Sequence, residues 1–383
     1  MGVQTFKVKI SQEVLDDLRE RLVRTRWADE LPNAGWDYGT DSAYLKKLVK
    51  YWQDKFDWRA QEEFINGFKH FRSDVNGLNI HFIHERGKGP NPLPIILTHG
   101  WPDSFVRMLK IIPLLINPEA HGGEAENSFD VVAPSLPGYG FSDRPTEPGV
   151  TAHVADLWAK LMTEELGYER FAAAGGDMGS GVTQELAQSH ADSLVGIHLT
   201  DVPWQNFFFY GEDHSDLSET EKKYFAAGQK WMMEEGAYAM IQSTKPQTLA
   251  HGLNDSPAGL AAWIVEKFRA WSDCGGDVER RFTKDELLTN ITIYWATGTL
   301  NSSFLYYYEP SHGHVPKDFK KRVEVPTGFA MFPKDLTPAP REFAERFFNV
   351  ARWTKMPRGG HFAAMEEPEL LAEDIRTFFR PLR

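Results

Sequence analysis

Phe171-Ala-Ala-Ala-Gly-Gly-Asp177-Met-Gly-Ser180 decides how this chain is read. Its opening run of small apolar side chains suits a strand covered on both faces, and Val182 and Leu186 beyond it are spaced as in a helix. Between strand and helix stands an acid flanked by glycines at 175 and 179, in the order Gly-x-nucleophile-x-Gly. Glycines there permit a cramped turn that lifts one side chain above the sheet edge. The raised residue is an aspartate, and a carboxylate suits attack at saturated carbon. It displaces an oxygen or halide leaving group and leaves an ester that water can hydrolyse. The competing reading makes Asp177 a helix cap and its neighbours mere turn residues. A dinucleotide loop is excluded, since glycines at 175, 176, 179 and 181 do not follow G-x-G-x-x-G.

Outward from this turn, short apolar runs bounded by Gly and Pro recur at residues 80–84, 95–99, 129–134 and 195–199. Helical patterns separate them, for example Phe105, Met108, Leu109 and Ile112 after Ser104. That alternation predicts an α/β fold with a mostly parallel sheet covered on both faces. Residues 204–322 break the rhythm, being rich in aromatics at helical spacing, and predict a helical lid. Strand texture returns at residues 328–332 and 350–353, before a closing helix over 368–379. The core is thus expected over 92–203 and 323–383, on either side of the lid. Residues 1–91 form an N-terminal extension with two amphipathic helices, one carrying Val14, Leu15, Leu18, Leu22 and Val23, the other Leu45, Leu48, Val49, Trp52 and Phe56. Both apolar faces must dock on the rest of the chain.

Three further segments complete a candidate site. Ile95-Ile-Leu-Thr-His99-Gly-Trp101-Pro-Asp-Ser104 leaves a strand through a tight turn. In hydrolases of this layout such a loop and the residue after the nucleophile donate the oxyanion-hole N–H groups, here those of Trp101 and Met178. Arg358-Gly-Gly-His361-Phe-Ala-Ala-Met365 sets a histidine in a glycine-rich loop before the last helix, which makes His361 the base candidate among 13 histidines. The acid that orients it should follow the preceding strand, and Asp335 does; Glu324 precedes that strand and Glu309 lies in the insertion. His312 and His314 lack a third ligand and read as a solvated loop, so neither metal nor cofactor is expected.

A net charge of -12 disfavours nucleic acid and anionic membrane surfaces. The one cysteine, Cys274, has no partner within the chain and reads as a buried apolar residue. The apolar stretch at residues 111–116 is far too short to span a bilayer, and MGVQTFKVKI lacks the features of a secretory signal. The expectation is a cytoplasmic protein in which the sequons at Asn254, Asn290 and Asn301 go unused.

Taken together, these motifs resemble the epoxide hydrolases of the α/β-hydrolase superfamily, in the microsomal-type branch that carries an N-terminal extension. The resemblance covers nearly the whole chain. Its marks are Arg24-Thr-Arg-Trp27, Phe56-Asp-Trp-Arg59, Ile80-His-Phe-Ile-His84, His99-Gly-Trp-Pro102, Gly175-Gly-Asp-Met-Gly179 and Gly360-His-Phe362. It implies two lid tyrosines that hydrogen-bond the epoxide oxygen. The surroundings Glu235-Gly-Ala-Tyr238 select Tyr238, and a position two residues before Glu309 selects Tyr307 over its neighbours Tyr306 and Tyr308. With Trp101, these tyrosines would contact a small, hydrophobic epoxide. The resemblance further implies that Asp177 forms an alkyl ester, which water activated by His361 and Asp335 then hydrolyses to a vicinal diol. Haloalkane dehalogenation, which shares the aspartate, and a ligand-binding protein without turnover are the rival readings. No membrane anchor is expected, and a homodimer is left open.

Overall fold

The computed structural model describes residues 2–208, 210–211 and 215–383. Its centre is a nine-stranded sheet in the order β1-β2-β3-β5-β4-β6-β7-β8-β9. The strands are β1 (Gln4–Phe6), β2 (His70–Val75), β3 (Leu78–Glu85), β4 (Leu93–Thr98), β5 (Phe129–Pro134), β6 (Phe171–Gly175), β7 (Leu194–Leu199), β8 (Val323–Met331) and β9 (Phe348–Lys355). From β5 to β9 every pairing is parallel, whereas β1, β2 and β3 join antiparallel at one edge. Between Trp204 and Ser311 every regular element among the described residues is a helix, which is the α/β layout with a helical lid. No helix among the described residues is long and apolar enough to cross a membrane.

The N-terminal extension belongs to two layers at once. The division expected at residue 92 falls inside the sheet, because β1, β2 and β3 precede it and β3 pairs with β5. A chain of buried rings reinforces that seam: His70 Nδ1 meets His81 Nε2 at 2.9 Å, and His81 Nδ1 meets Ser135 Oγ at 2.8 Å. The helix Gln12–Val23, capped by Ser11, buries Leu15, Leu18 and Leu22. The helix Ser42–Asp54 buries Leu48, Val49 and Trp52. Both pack on the lid helix Pro257–Ala270, so each apolar stripe leaves water by covering the lid.

One expected helix is broken in two. Phe105–Met108 is a single 3-10 turn, and the α-helix restarts at Ile111–Ile116. Pro113 accounts for the restart, since proline lacks an N–H and fits only the first turn of a helix.

Candidate active site

The turn between β6 and the helix Met178–Ser189 is built by close packing. A Cβ on Gly179 would lie 2.0 Å from the Thr98 carbonyl oxygen, and one on Gly100 would lie 2.2 Å from Asp177 Oδ1. Glycine alone lets the end of β4, the helix and the carboxylate come so close. Asp177 itself adopts φ 58° and ψ −128°, a left-handed conformation costly for a side chain with a Cβ. It stands at the N-cap position, yet its carboxylate makes no capping bond. Instead Trp101 N–H donates to Oδ1 at 2.8 Å. The strained backbone is held from below, where Asp177 N–H and Ser180 Oγ both donate to Asp201 Oδ1, at 2.9 and 2.6 Å.

His361 reaches the same point from the other half of the core. Its Nε2 lies 3.3 Å from Asp177 Oδ2, a charge contact without hydrogen-bond alignment. Its Nδ1 meets Asp335 Oδ1 at 2.7 Å. Asp335 stands just beyond β8, where Lys334 bridges to Gly360 beside the histidine. All three side chains are nearly buried, with exposures of 11% for Asp177, 3% for His361 and 7% for Asp335. Burial disfavours the cation on His361, but the Asp335 and Asp177 charges outweigh it and push the imidazole up to about 10. Burial likewise opposes ionisation of Asp177, and His361 with the Trp101 and Met178 amides reverses that, holding the carboxyl below its usual range. The resting pair is an ion pair, with Oδ1 held by the Trp101 amide and Oδ2 facing His361.

Tyr238, on the helix Ala237–Thr244, stacks on the Trp101 ring with centroids 5.2 Å apart and planes 7° apart. Tyr307, on the helix Leu305–Ser311, meets the same indole edge-on at 5.8 Å and Tyr238 at 5.8 Å. Burial first, followed by the Asp177 charge for Tyr238 and by Tyr238 and then Asp177 for Tyr307, keeps both phenols protonated far above their ordinary range. The neighbours of Tyr307 are otherwise engaged. Tyr306 donates to the Pro137 carbonyl at 3.2 Å, and Tyr308 stacks on His312 at 3.8 Å. Asp177, Met178, Tyr238 and Tyr307 line one cavity of about 540 Å³. The two weaker acid candidates lie elsewhere: Glu309 binds the Gly149 and Thr151 amides, and Glu324 is exposed beside Arg322.

Similarity to known proteins places the chain in a family. Residues 3–108 match the family described as Epoxide hydrolase N terminus, and residues 94–254 match the alpha/beta hydrolase fold. A protein of Stigmatella aurantiaca is 43% identical over 384 residues, covering 100% of this chain and 86% of its own length. Epoxide hydrolase 1 of Sus scrofa is 40% identical, covering 98% of this chain and 88% of its own. The chain belongs to the epoxide hydrolase family. Among solved structures of this family, the juvenile hormone epoxide hydrolase of the silkworm Bombyx mori superposes with a TM-score of 0.87 at 30% identity, over 100% of this chain and 95% of that one. The Aspergillus niger epoxide hydrolase gives 0.85 at 31% identity, over 100% and 97%.

Several residues that support the site of this epoxide hydrolase escape the motif reading. Glu366 takes the Gly360 and Phe362 amides at 3.1 and 3.0 Å, while His361 N–H donates to the Trp271 carbonyl at 2.9 Å. The His361 loop is therefore fixed at three successive amides. Arg107, 2% exposed, joins that loop to the oxyanion loop. Its guanidinium donates to His361 O and to Asp103 Oδ2, both at 2.5 Å, and Asp103 Oδ1 takes the Gly100 amide at 3.1 Å. Only the short spacing of Asp103 and Arg107, one helical turn apart, could have flagged this pair.

Proposed function

We propose that this epoxide hydrolase works through a covalent ester on Asp177. The observation that carries the reading is the division of labour between the two carboxylate oxygens of a residue on the cavity wall: Oδ1 held at 2.8 Å by Trp101 N–H, Oδ2 turned to His361. Oδ2 attacks a ring carbon, the carbon–oxygen bond breaks, and the ring oxygen takes a proton from Tyr238 or Tyr307. The phenols suit this role because burial keeps them protonated at any working pH.

Ester formation removes the Asp177 charge, which is one of the causes that hold the His361 proton. The imidazole then gives that proton up to restore the tyrosine, and becomes a neutral base at the moment one is needed. It next takes a proton from water, whose oxygen attacks the ester carbonyl. The developing charge forms on Oδ1, against the Trp101 and Met178 amides. Collapse releases the alkoxide of the diol, which takes the proton of the newly formed carboxylic acid. Asp177 is again an anion and His361 a cation. The cycle consumes one epoxide and one water and returns every proton.

The substrate class this supports is a largely apolar small-molecule epoxide, since the cavity walls include Trp204, Trp231, Phe208, Met232 and Met240. Incubating the protein with a panel of epoxides and matched haloalkanes, and measuring diol and halide, tests the reading. Diol from epoxides with no halide release is expected; halide release without diol would overturn it.

A further inference from the structure

The cavity does not end at the nucleophile. The helix Met178–Ser189 turns one stripe toward it, formed by Met178, Gly181, Val182 and Glu185. Glu185 lies eight residues beyond Asp177, about 12 Å along the helix axis at 1.5 Å per residue. A carboxyl is out of place on such a wall. It is 8% exposed, and its Oε2 finds no hydrogen-bond partner among the described residues. Unpaired buried polar atoms are uncommon and call for an explanation.

We propose that Glu185 is a specificity residue, whose carboxyl donates a hydrogen bond to an acceptor group carried by an elongated epoxide about two helical turns from the carbon that Asp177 attacks. The ligand chemistry is a carbonyl or ether oxygen at the far end of an apolar chain. This rests on the epoxide reading of the site and names its substrate class more narrowly.

The surroundings fit a donor. Burial, and then the charge of Asp156 on the neighbouring helix, push the Glu185 carboxyl up to about 8, so near neutrality it carries a proton. Tyr306, which feels the Glu185 charge, commits its hydroxyl to the Pro137 carbonyl, and His314, Ser311 and Thr151 stand on the wall of the same cavity, Thr151 bound to Glu309. Among the described residues no ion pair holds it as a carboxylate. Between the two carboxyls the helix offers Met178, Gly181 and Val182, and tryptophans and methionines of the lid line the same cavity. A substrate with a reactive epoxide at one end, an apolar middle and an acceptor at the other matches that sequence of surfaces.

Two terminal epoxides of equal length test it, one a plain alkyl chain and the other ending in a methyl ester. The wild-type protein should favour the ester-tailed epoxide in kcat/KM. Glu185→Leu should reduce that ratio about tenfold, through KM and not kcat, because one neutral hydrogen bond is lost. Glu185→Gln keeps the shape and an N–H donor, and should retain most of the preference. Absence of a wild-type preference, or a Glu185→Leu loss equal for both substrates or confined to kcat, overturns the proposal. Absence of diol from either substrate with wild-type protein would instead sink the epoxide reading itself, and this inference with it.

Discussion

His361 Nε2 stands 3.3 Å from Asp177 Oδ2, and that contact ties the proton on the imidazole to the charge on the carboxylate. While Asp177 is an anion, the imidazole is pushed up to about 10. Once Asp177 is esterified, only Asp335 remains to support the cation against burial. The midpoint of the base must then fall, so the ester should hydrolyse faster as pH rises, with a midpoint below about 10. Ester decay followed by quenched-flow mass measurement against pH reads this directly. Asp335→Asn should lower the midpoint further and slow the reaction. A midpoint for ester decay at or above that of the free enzyme would show that the two charges are not coupled.

Loss of a phenol should be felt in ring opening alone. Tyr238→Phe and Tyr307→Phe each delete one hydroxyl and little volume, so the fold should persist. A donor aimed at developing negative charge is worth about 2.7 to 4 kcal/mol, roughly 10² to 10³ in rate. Single-turnover ester formation should slow by that order in each variant. Tyr306→Phe should do less, because its hydroxyl is spent on Pro137. A large loss on Tyr306→Phe or Tyr308→Phe with none on Tyr307→Phe would shift the register of the donor.

Glu366 should matter without touching substrate. Its carboxylate takes the amides of Gly360, Phe362 and Asp273, and burial pushes it up to about 7. Glu366→Ala would leave three buried N–H groups without an acceptor, at about 1–3 kcal/mol each. The expected outcome is a lowered Tm together with slowed ester hydrolysis, while ester formation is spared because it needs no base. Equal slowing of both steps would mean that Glu366 merely supports the fold.

The buried acid in the cavity predicts a pH-dependent stability difference. A carboxyl raised in the fold contributes stability that is fully present below its unfolded value of about 4.3 and is lost as pH rises through its folded value. For Glu185 that window runs up to about 8. Each pH unit within it costs about 1.4 kcal/mol. Glu185→Gln should therefore match wild type near pH 4 and exceed it in denaturant stability by pH 8. A constant difference across that range would show that the carboxyl is solvated in the native state.

The parallel half of the sheet and the lid were legible because their signals are local: short apolar runs between glycines and prolines, then a long stretch without them. The first two strands, β1 and β2, were not. His-Phe-Arg-Ser-Asp-Val at 70–75 reads as polar, and becomes a strand because His70 finds His81 on β3 and Ser73 finds Glu165. At the site, motif spacing alone suggested Asp177, Trp101 and His361, which tight turns mark in sequence. Asp201 and Glu366 carry no such mark. Each acts by accepting backbone amides from residues that only the folded chain brings near.

The order of steps gives the sharpest test. A carboxylate held below its ordinary range is ionised at neutral pH and needs no base to attack. His361 should therefore be required to hydrolyse the ester but not to form it. His361→Gln, incubated with a terminal epoxide, should gain the mass of one alkyl group on Asp177 and then stop, whereas Asp177→Ala should gain nothing. A serine at the elbow would behave otherwise, since its hydroxyl needs the histidine to attack at all. Isotope labelling adds an independent check on the wild-type protein. In a single turnover in ¹⁸O-water, attack at the ester carbonyl transfers an unlabelled Asp177 oxygen to the first diol and leaves solvent oxygen on the carboxylate. Peptide mass measurement should find that label on the segment containing Asp177. If the first diol carries solvent oxygen and Asp177 stays unlabelled, water has attacked the epoxide directly and Asp177 is not the nucleophile.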